Sequence, residues 1–403
     1  MNFDTSYKLF HEFIVGCDLK KFLNVESVMY GSSPNLIIDA VPKDKPKDNN
    51  DHVVLKILPK LLDSNLVHQY DFNEIEIKFY ILFTKRYLLT ERTPHFVGFY
   101  NHTVCNDYKQ LLKSLLGKSK CLSKNDRLTK KSKMTGPETK ICDLLLQNQL
   151  KIIPDKFDMI MIEHCSGTLF ELINFEALIA SKVKNESEVS YFGSVWFKIF
   201  FQIIFTFAVV KKDFLGFQHS DMICDNVLFK SEVSYDDNSY CEYHYSGKKF
   251  YLKANGPVAK INDFGKSVIY TKDNSPDEIK SKSVDLAYDA YSNYNPFNQK
   301  SDLWLFFNNV FNEIVNAANY YKINTNMFAS VFTIIDKFLN QDLMIKAENH
   351  DIQLVNNLSH IDGIKILEDS VQTPDQYLMG SIFKEYEKLP LDAKIVLTFN
   401  KPK

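Results

Sequence analysis

The chain of 403 residues lacks most of the features that assign a protein to a class at a glance. It has no CxxC pair, and Cys17, Cys105, Cys121, Cys142, Cys165, Cys224 and Cys241 are odd in number and irregular in spacing. That pattern argues against a zinc ribbon and predicts free thiols in a reducing compartment, without disulfides. The ten histidines show no metal-ligand spacing, so zinc is not expected. Charge of one sign is also missing. A formal net charge of -2 gives no bulk attraction to nucleic acid or to a membrane surface. Long apolar runs are absent. The longest, Ile199 to Val210, contains Gln202 and is flanked by Lys198 and Lys211. A membrane span needs about twenty residues, and this run is roughly half that, so a buried helix is expected. Asp4, Lys8 and Glu12 break up the beginning of the sequence, which does not read as a signal peptide; a cytoplasmic protein is expected.

What is present is a globular composition, 45% hydrophobic and 24% charged. The length suits two lobes sharing a cleft, or one domain with insertions. Leu36-Ile37-Ile38 and Val53 to Leu58 read as strands, separated by a polar segment from Val41 to Asp51 with two prolines, a long exposed turn. Phe72, Ile75, Phe79, Leu82 and Phe83 then recur at helical spacing. A strand follows at Phe96 to Val104, and another at Phe157 to Glu163. Between them, residues 109–140 are rich in lysine, with only Asp126 and Glu138 in opposition. This basic insertion reads as loop or mobile helix: a solvated surface, or a docking surface for an acidic partner or nucleic acid. A long helix is expected over about 191–212. Two short strands, Val227-Leu228-Phe229 and Val258 to Ile261, flank a tyrosine-rich insert at about 231–255, read as a hairpin. From about residue 300 the pattern is mainly helical. Strands first and helices later predict an α+β fold.

Three short strings carry chemistry. His219-Ser220-Asp221-Met222-Ile223-Cys224-Asp225-Asn226 fits H-x-D-x-x-x-x-N. Asp263-Phe264-Gly265 follows a strand, and Val54-Leu55-Lys56-Ile57 sets a lysine inside an apolar strand. Each alone is weak; their order and context together are specific. The combination suits phosphoryl transfer, where catalysis is positioning plus electrostatic stabilisation of charge on the moving group. A lysine reaches phosphate, a carboxylate and a carboxamide hold a hard cation, and another carboxylate receives or orients the acceptor hydroxyl.

On these strings the chain resembles the protein kinases, from about residue 23 to about 310. The resemblance implies a bilobal fold, with a strand-rich N-lobe over 1–163 and a helical C-lobe over 164–403. It implies ATP and Mg2+ as cofactors and Ser/Thr hydroxyls of a protein substrate as acceptors. Lys56 resembles the phosphate-anchoring lysine, and Glu76, or else Glu74, its helical partner. Asp221 resembles the catalytic-loop base, and Asn226 and Asp263 the magnesium ligands. Glu163-His164-Cys165 resembles the backbone segment that hydrogen-bonds adenine, and Ser301-Asp302-Leu303-Trp304 the helix start that supports the catalytic loop. Gly31, Ser32, Ser33 and Leu36 stand where a glycine-rich phosphate loop would, with one glycine of three retained. Lysine, asparagine and tyrosine bias, the basic insert and Ser220 make the chain similar to kinases of large cytoplasmic DNA viruses, iridovirus-like and more distantly poxvirus-like. The resemblance then implies the host cytoplasm or the virion as location.

The pattern also departs from the family. Ile223 stands where serine/threonine kinases carry a lysine near the γ-phosphate, and Lys266, directly after Gly265, is the substitute to test. Ser220 replaces the arginine that pairs with a phosphorylated activation loop, so activity without such phosphorylation is expected. Asn295-Pro296-Phe297 stands in for an Ala-Pro-Glu string. Two other readings remain beside an active protein kinase: a pseudokinase scaffold that binds nucleotide or partner without transfer, and a small-molecule kinase of the aminoglycoside or choline phosphotransferase type. Among the remaining residues, His219, Trp196 and Trp304 read as structural, and Asp213, Glu171 and Asp225 as surface charges.

Overall fold

A computed structural model of the chain describes residues 7, 8, 10, 11, 17–30, 35–43, 52–60, 72–117, 121, 136–182, 191–214, 216–231, 235–270, 300–323, 329–338 and 371–402. Gly31, Ser32, Ser33, much of the basic insertion, the turn after Lys43 and Asn295-Pro296-Phe297 lie outside the described residues. The chain divides into two compact units, Met1–Ile81 with Gly98–His164, and Leu82–Val97 with Cys165–Lys403. Strands and helices mix in both, an α+β fold as expected.

The first unit is built on one sheet. A short helix α1 (Leu19–Phe22) leads into β1 (Leu23–Tyr30), β2 (Leu36–Pro42) and β3 (Val53–Pro59). Helix α2 begins at Phe72 and ends at Phe83. It is followed by β4 (Phe99–Cys105), α3 (Tyr108–Leu116), α4 (Gly136–Gln149) and β5 (Phe157–Glu163). The strand order is β1-β2-β3-β5-β4, every neighbour antiparallel. β2 alternates, with Leu36, Ile38 and Ala40 inward and Ile37 and Asp39 toward solvent, the period of a half-buried strand. β3 and β5 lie in the middle and are buried at every position, which explains their unbroken aliphatic runs. Asp107 caps α3, its side chain accepting from the Gln110 amide. Leu111, Leu112, Ile141, Leu144 and Leu145 of α3 and α4 join Phe157, Met159 and Met161 of β5 in one core. The described ends of the basic insertion are therefore packed helix rather than loop.

This unit also corrects the expectation of free thiols throughout. Cys17 is disulfide-bonded to Cys105, and Cys121 to Cys142. The Cα atoms stand 5.7 and 5.4 Å apart, the separation a disulfide requires. Irregular spacing along the chain does not report such proximity, because connectivity depends on the fold. Cys165, Cys224 and Cys241 are not disulfide-bonded.

The second unit opens with β6 (Gly167–Thr168) and α5 (Leu169–Ala180), started by a reciprocal capping box between Thr168 and Glu171. Helix α6 (Tyr191–Asp213) is the centre of this unit. Its run from Ile199 to Val210 is buried throughout, as its composition predicts. Among the described residues no helix is long and apolar enough to cross a membrane. Then come β7 (Gly216–Gln218), β8 (Val227–Ser231), β9 (Ser239–Tyr245), β10 (Lys248–Lys253), β11 (Pro257–Ile261) and β12 (Val268–Tyr270). β8 pairs with both β6 and β11, and β7 pairs with β12. The tyrosine-rich insert is a β9–β10 hairpin, turned at Ser246 and Gly247, both with positive φ. Its Tyr243 and Tyr245 are core residues. Helices α7 (Ser301–Tyr321), α8 (Ala329–Asp336) and α9 (Pro374–Met379) follow, and a last strand β13 (Lys394–Phe399) adds parallel to β9. That strand departs from the helical reading of the C-terminal part. Trp196 is fully buried as expected, whereas Trp304 is only half-buried.

Candidate active site

Lys56 is the one lysine on β3, hydrogen-bonded in register between Ile37 of β2 and Ile160 of β5. An amine enclosed on both sides needs a counter-charge. Glu76 of α2 supplies it, with Lys56 Nζ 2.5 Å from Glu76 Oε1. Both side chains are nearly inaccessible, at 7% and 5% exposure. Glu74, the other candidate, pairs instead with Lys78 one helical turn on, at the exposed surface. Leu36 begins β2 and is fully buried. Glu163 ends β5; its amide donates to the Gly98 carbonyl and its carboxylate accepts from the Gly98 amide. Cys165, in the second unit, is a half-buried thiol outside the disulfides.

The second unit collects the other strings. β8 and β11 run antiparallel with Val227 opposite Ile261. The residues just outside this pair therefore meet, and the Asn262 amide donates to the Asn226 carbonyl at 2.9 Å. Asp263 follows in a left-handed conformation, φ 61°, an uncommon state for a residue with a side chain. Asn226 turns its amide group onto Asp221. Nδ2 donates to the Asp221 carbonyl at 2.8 Å and to Asp221 Oδ2 at 3.1 Å. Lys266 Nζ stands 3.0 Å from the same Oδ2. Asp221, Asn226 and Lys266 thus form one polar cluster. Phe264, between Asp263 and Gly265, is fully buried and packs edge-on against Phe83 at 5.0 Å and His219 at 5.4 Å.

The loop that bears Asp221 is held by a buried carboxylate. Asp302, in the first turn of α7, accepts from the His219 amide at 2.8 Å and from the Ser220 amide at 2.9 Å. Ser220 is itself left-handed, φ 64°, and two charge-assisted bonds to one carboxylate offset that strain. His219 Nε2 donates to the Asn262 carbonyl at 2.8 Å, tying the two loops together. It is structural, as its context suggested.

Sequence reasoning passed over two supports. Asn309 of α7 accepts from the Cys224 amide at 2.7 Å, and nothing local marks that asparagine. Asp213 is no loose surface charge: it accepts from Arg86, Tyr87 and Arg92. Burial pushes its carboxyl up, but the bonds from Arg92, Arg86 and Tyr87 outweigh this and hold it below its ordinary value. Glu171, too, is engaged, as the capping partner of Thr168.

No protein-family model matches the chain. Over 414 aligned residues it is 34% identical to "Putative serine/threonine-protein kinase R301" of Acanthamoeba polyphaga mimivirus, and the alignment covers 100% of both chains. The relative is thus a mimivirus protein, where the sequence reading had named iridoviruses and poxviruses. Identity at this level along both whole chains makes the protein a member of the serine/threonine-protein kinase family.

Proposed function

We propose that the chain is an ATP- and magnesium-dependent protein kinase that transfers the γ-phosphate to serine or threonine hydroxyls of proteins. The observation that carries this reading is the buried Lys56–Glu76 pair. Taking both charges out of water costs several kcal/mol per ion, and an apolar pair would suit the core at least as well. A lysine held there by a carboxylate is explained by a phosphate ligand.

The remaining residues fit the same chemistry. The Asn226 amide nitrogen donates twice to Asp221, so Oδ1 is the atom of Asn226 that would face a cation. With the Asp263 carboxylate it gives an all-oxygen donor set, which suits magnesium. When bound, that ion supplies positive charge to the phosphate oxygens. Asp221 orients the acceptor hydroxyl and receives its proton. Lys266, beside Asp221, supplies the positive charge that Ile223 cannot. Asp302 holds the Asp221 loop through two backbone amides. The family resemblance assigns adenine to the backbone of Glu163 and Cys165, and the phosphates to Gly31, Ser32, Ser33 and Leu36. A viral kinase of this kind works in the host cytoplasm.

A scaffold reading is favoured by one feature, the phosphate loop with Gly31 as its lone glycine. Transfer from γ-labelled ATP with magnesium, to the protein itself and to casein, decides between the two. Label that appears with wild type and vanishes in both Asp263→Ala and Lys56→Met supports the kinase. Label equal in wild type and variants, or ATP binding by the folded protein without transfer to protein, overturns it. In the latter case, small hydroxylated acceptors are the next assay.

A further inference from the structure

We infer that Asp39, His52 and His164 form a binding site for a divalent transition-metal ion, on the first unit and independent of the phosphate chemistry. The site follows from strand register. Val53 of β3 stands opposite Glu163 of β5, so the residues one step beyond, His52 and His164, face each other at that end of the antiparallel pair. On the other side of β3, Asp39 of β2 pairs with Val54. His52 precedes Val54 by two residues, so it shares a face with Asp39 as its diagonal neighbour. Three adjacent strands thus bring two imidazoles and a carboxylate to one corner of the sheet.

The distances agree. His52 Nδ1 is 3.0 Å and His164 Nε2 is 4.0 Å from the same oxygen, Asp39 Oδ1. The two imidazole rings are 5.2 Å apart, centre to centre, and the three ligand atoms lie within 4.8 Å of one another. Tetrahedral zinc with bonds of about 2.0–2.1 Å separates its ligand atoms by about 3.3 Å. Small side-chain rotations close the remaining gap. Two ring nitrogens converge on one carboxylate oxygen. One divalent ion can take all three groups as ligands. Two nitrogens and one oxygen select zinc or a neighbouring transition metal over magnesium or calcium. All three residues are partly exposed, with Asp39 the most enclosed, so the ion can enter from solvent and keep water in a remaining position. Histidine spacing along the chain could not reveal this, since Asp39 lies on β2 and His52 and His164 lie just beyond the ends of β3 and β5.

The test uses the full chain, freed of metal with EDTA and titrated with Zn2+ against a chromogenic chelator. One zinc per chain is expected, with affinity at least tenfold lower in Asp39→Asn and stoichiometric binding lost in His52→Ala/His164→Ala. Co2+ in place of zinc should give visible d–d bands without a thiolate charge-transfer band, which excludes Cys165, Cys224 and Cys241 as ligands. Circular dichroism checks the double variant; if it is unfolded, Asp39→Asn, which changes one ligand group, decides alone. Zinc binding equal in wild type and Asp39→Asn, no binding by wild type, or a cobalt–thiolate band would overturn the inference.

Discussion

At the scale of single residues, the cluster around Asp221 turns on one displaced charge. Ile223 is apolar, and Lys266 Nζ stands 3.0 Å from the Asp221 carboxylate. The Lys266 side chain is 48% exposed, so the ion pair itself contributes little to folding, within about 1 kcal/mol. On the proposed function its worth would lie elsewhere, in charge placed beside the transferring group. Removing a comparable contact to developing charge costs about a hundredfold or more in turnover. Lys266→Ala should therefore lower kcat by about that factor while leaving the melting temperature and the KM for ATP close to wild type. Lys266→Arg should recover part of the loss. Unchanged kcat in Lys266→Ala, measured with saturating ATP, would remove the residue from the reaction. The main site residues were legible in the sequence because each sits in a short string whose spacing is set by local geometry: Lys56 in a strand, Asp221 and Asn226 five apart in one loop, Asp263 before Phe-Gly. Asn309 and Arg92 were not, because their partners Cys224 and Asp213 are distant in sequence and no local pattern encodes such a contact.

At the scale of elements, periodicity found α2 and α6 but neither α5 nor its tie to α6. Glu176 of α5 is buried, and Trp196 of α6 donates its indole N–H to Glu176 Oε2 at 2.8 Å. Burial pushes this carboxyl up to about 8, against a smaller opposing effect of the Trp196 hydrogen bond. The unfolded carboxyl ionises near its ordinary value of 4.5, whereas the folded one keeps its proton until about 8. Between those limits the unfolded state is the more easily deprotonated, so stability falls as pH rises through the window and levels off above it. The fall is on the order of a few kcal/mol. Glu176→Gln cannot ionise and keeps an oxygen for Trp196. Urea unfolding should find it close to wild type at about pH 5 and more stable than wild type at about pH 8.5. A variant less stable than wild type at the higher pH would refute the protonated carboxyl. The Thr168–Glu171 capping box shows a different kind of miss: its T-x-x-E signature was present in the sequence, yet Glu171 read as a surface charge. Strand β13 was illegible for a stronger reason. Its partner β9 lies some 150 residues earlier, and parallel pairing over that span has no local signal.

At the scale of the whole molecule, the two units are stabilised by different means. Both disulfides lie in the first unit, and Cys165, Cys224 and Cys241 of the second are not disulfide-bonded. Cys17–Cys105 spans 88 residues and Cys121–Cys142 spans 21. Loop-closure entropy makes the long crosslink worth about 4–5 kcal/mol and the short one about 3 kcal/mol. Both tie segments that the sheet alone holds weakly: Cys17 precedes α1, and Cys121 lies between α3 and α4. Reduction with dithiothreitol should thus lower the melting temperature by several degrees at least, and Cys17→Ser/Cys105→Ser should reproduce the larger share of that shift. Thiol-blocked protein taken directly from the cell adds the second half of the test. Mass spectrometry under non-reducing conditions should find Cys17 with Cys105, Cys121 with Cys142, and three cysteines alkylated. Seven alkylated cysteines, with no effect of dithiothreitol on melting, would mean that the pairings do not form. If they do form, the protein has matured where thiols are oxidised, since the reducing cytosol keeps such cysteines apart. The two results together fix whether the protein folds as a thiol protein, or is completed in an oxidising setting.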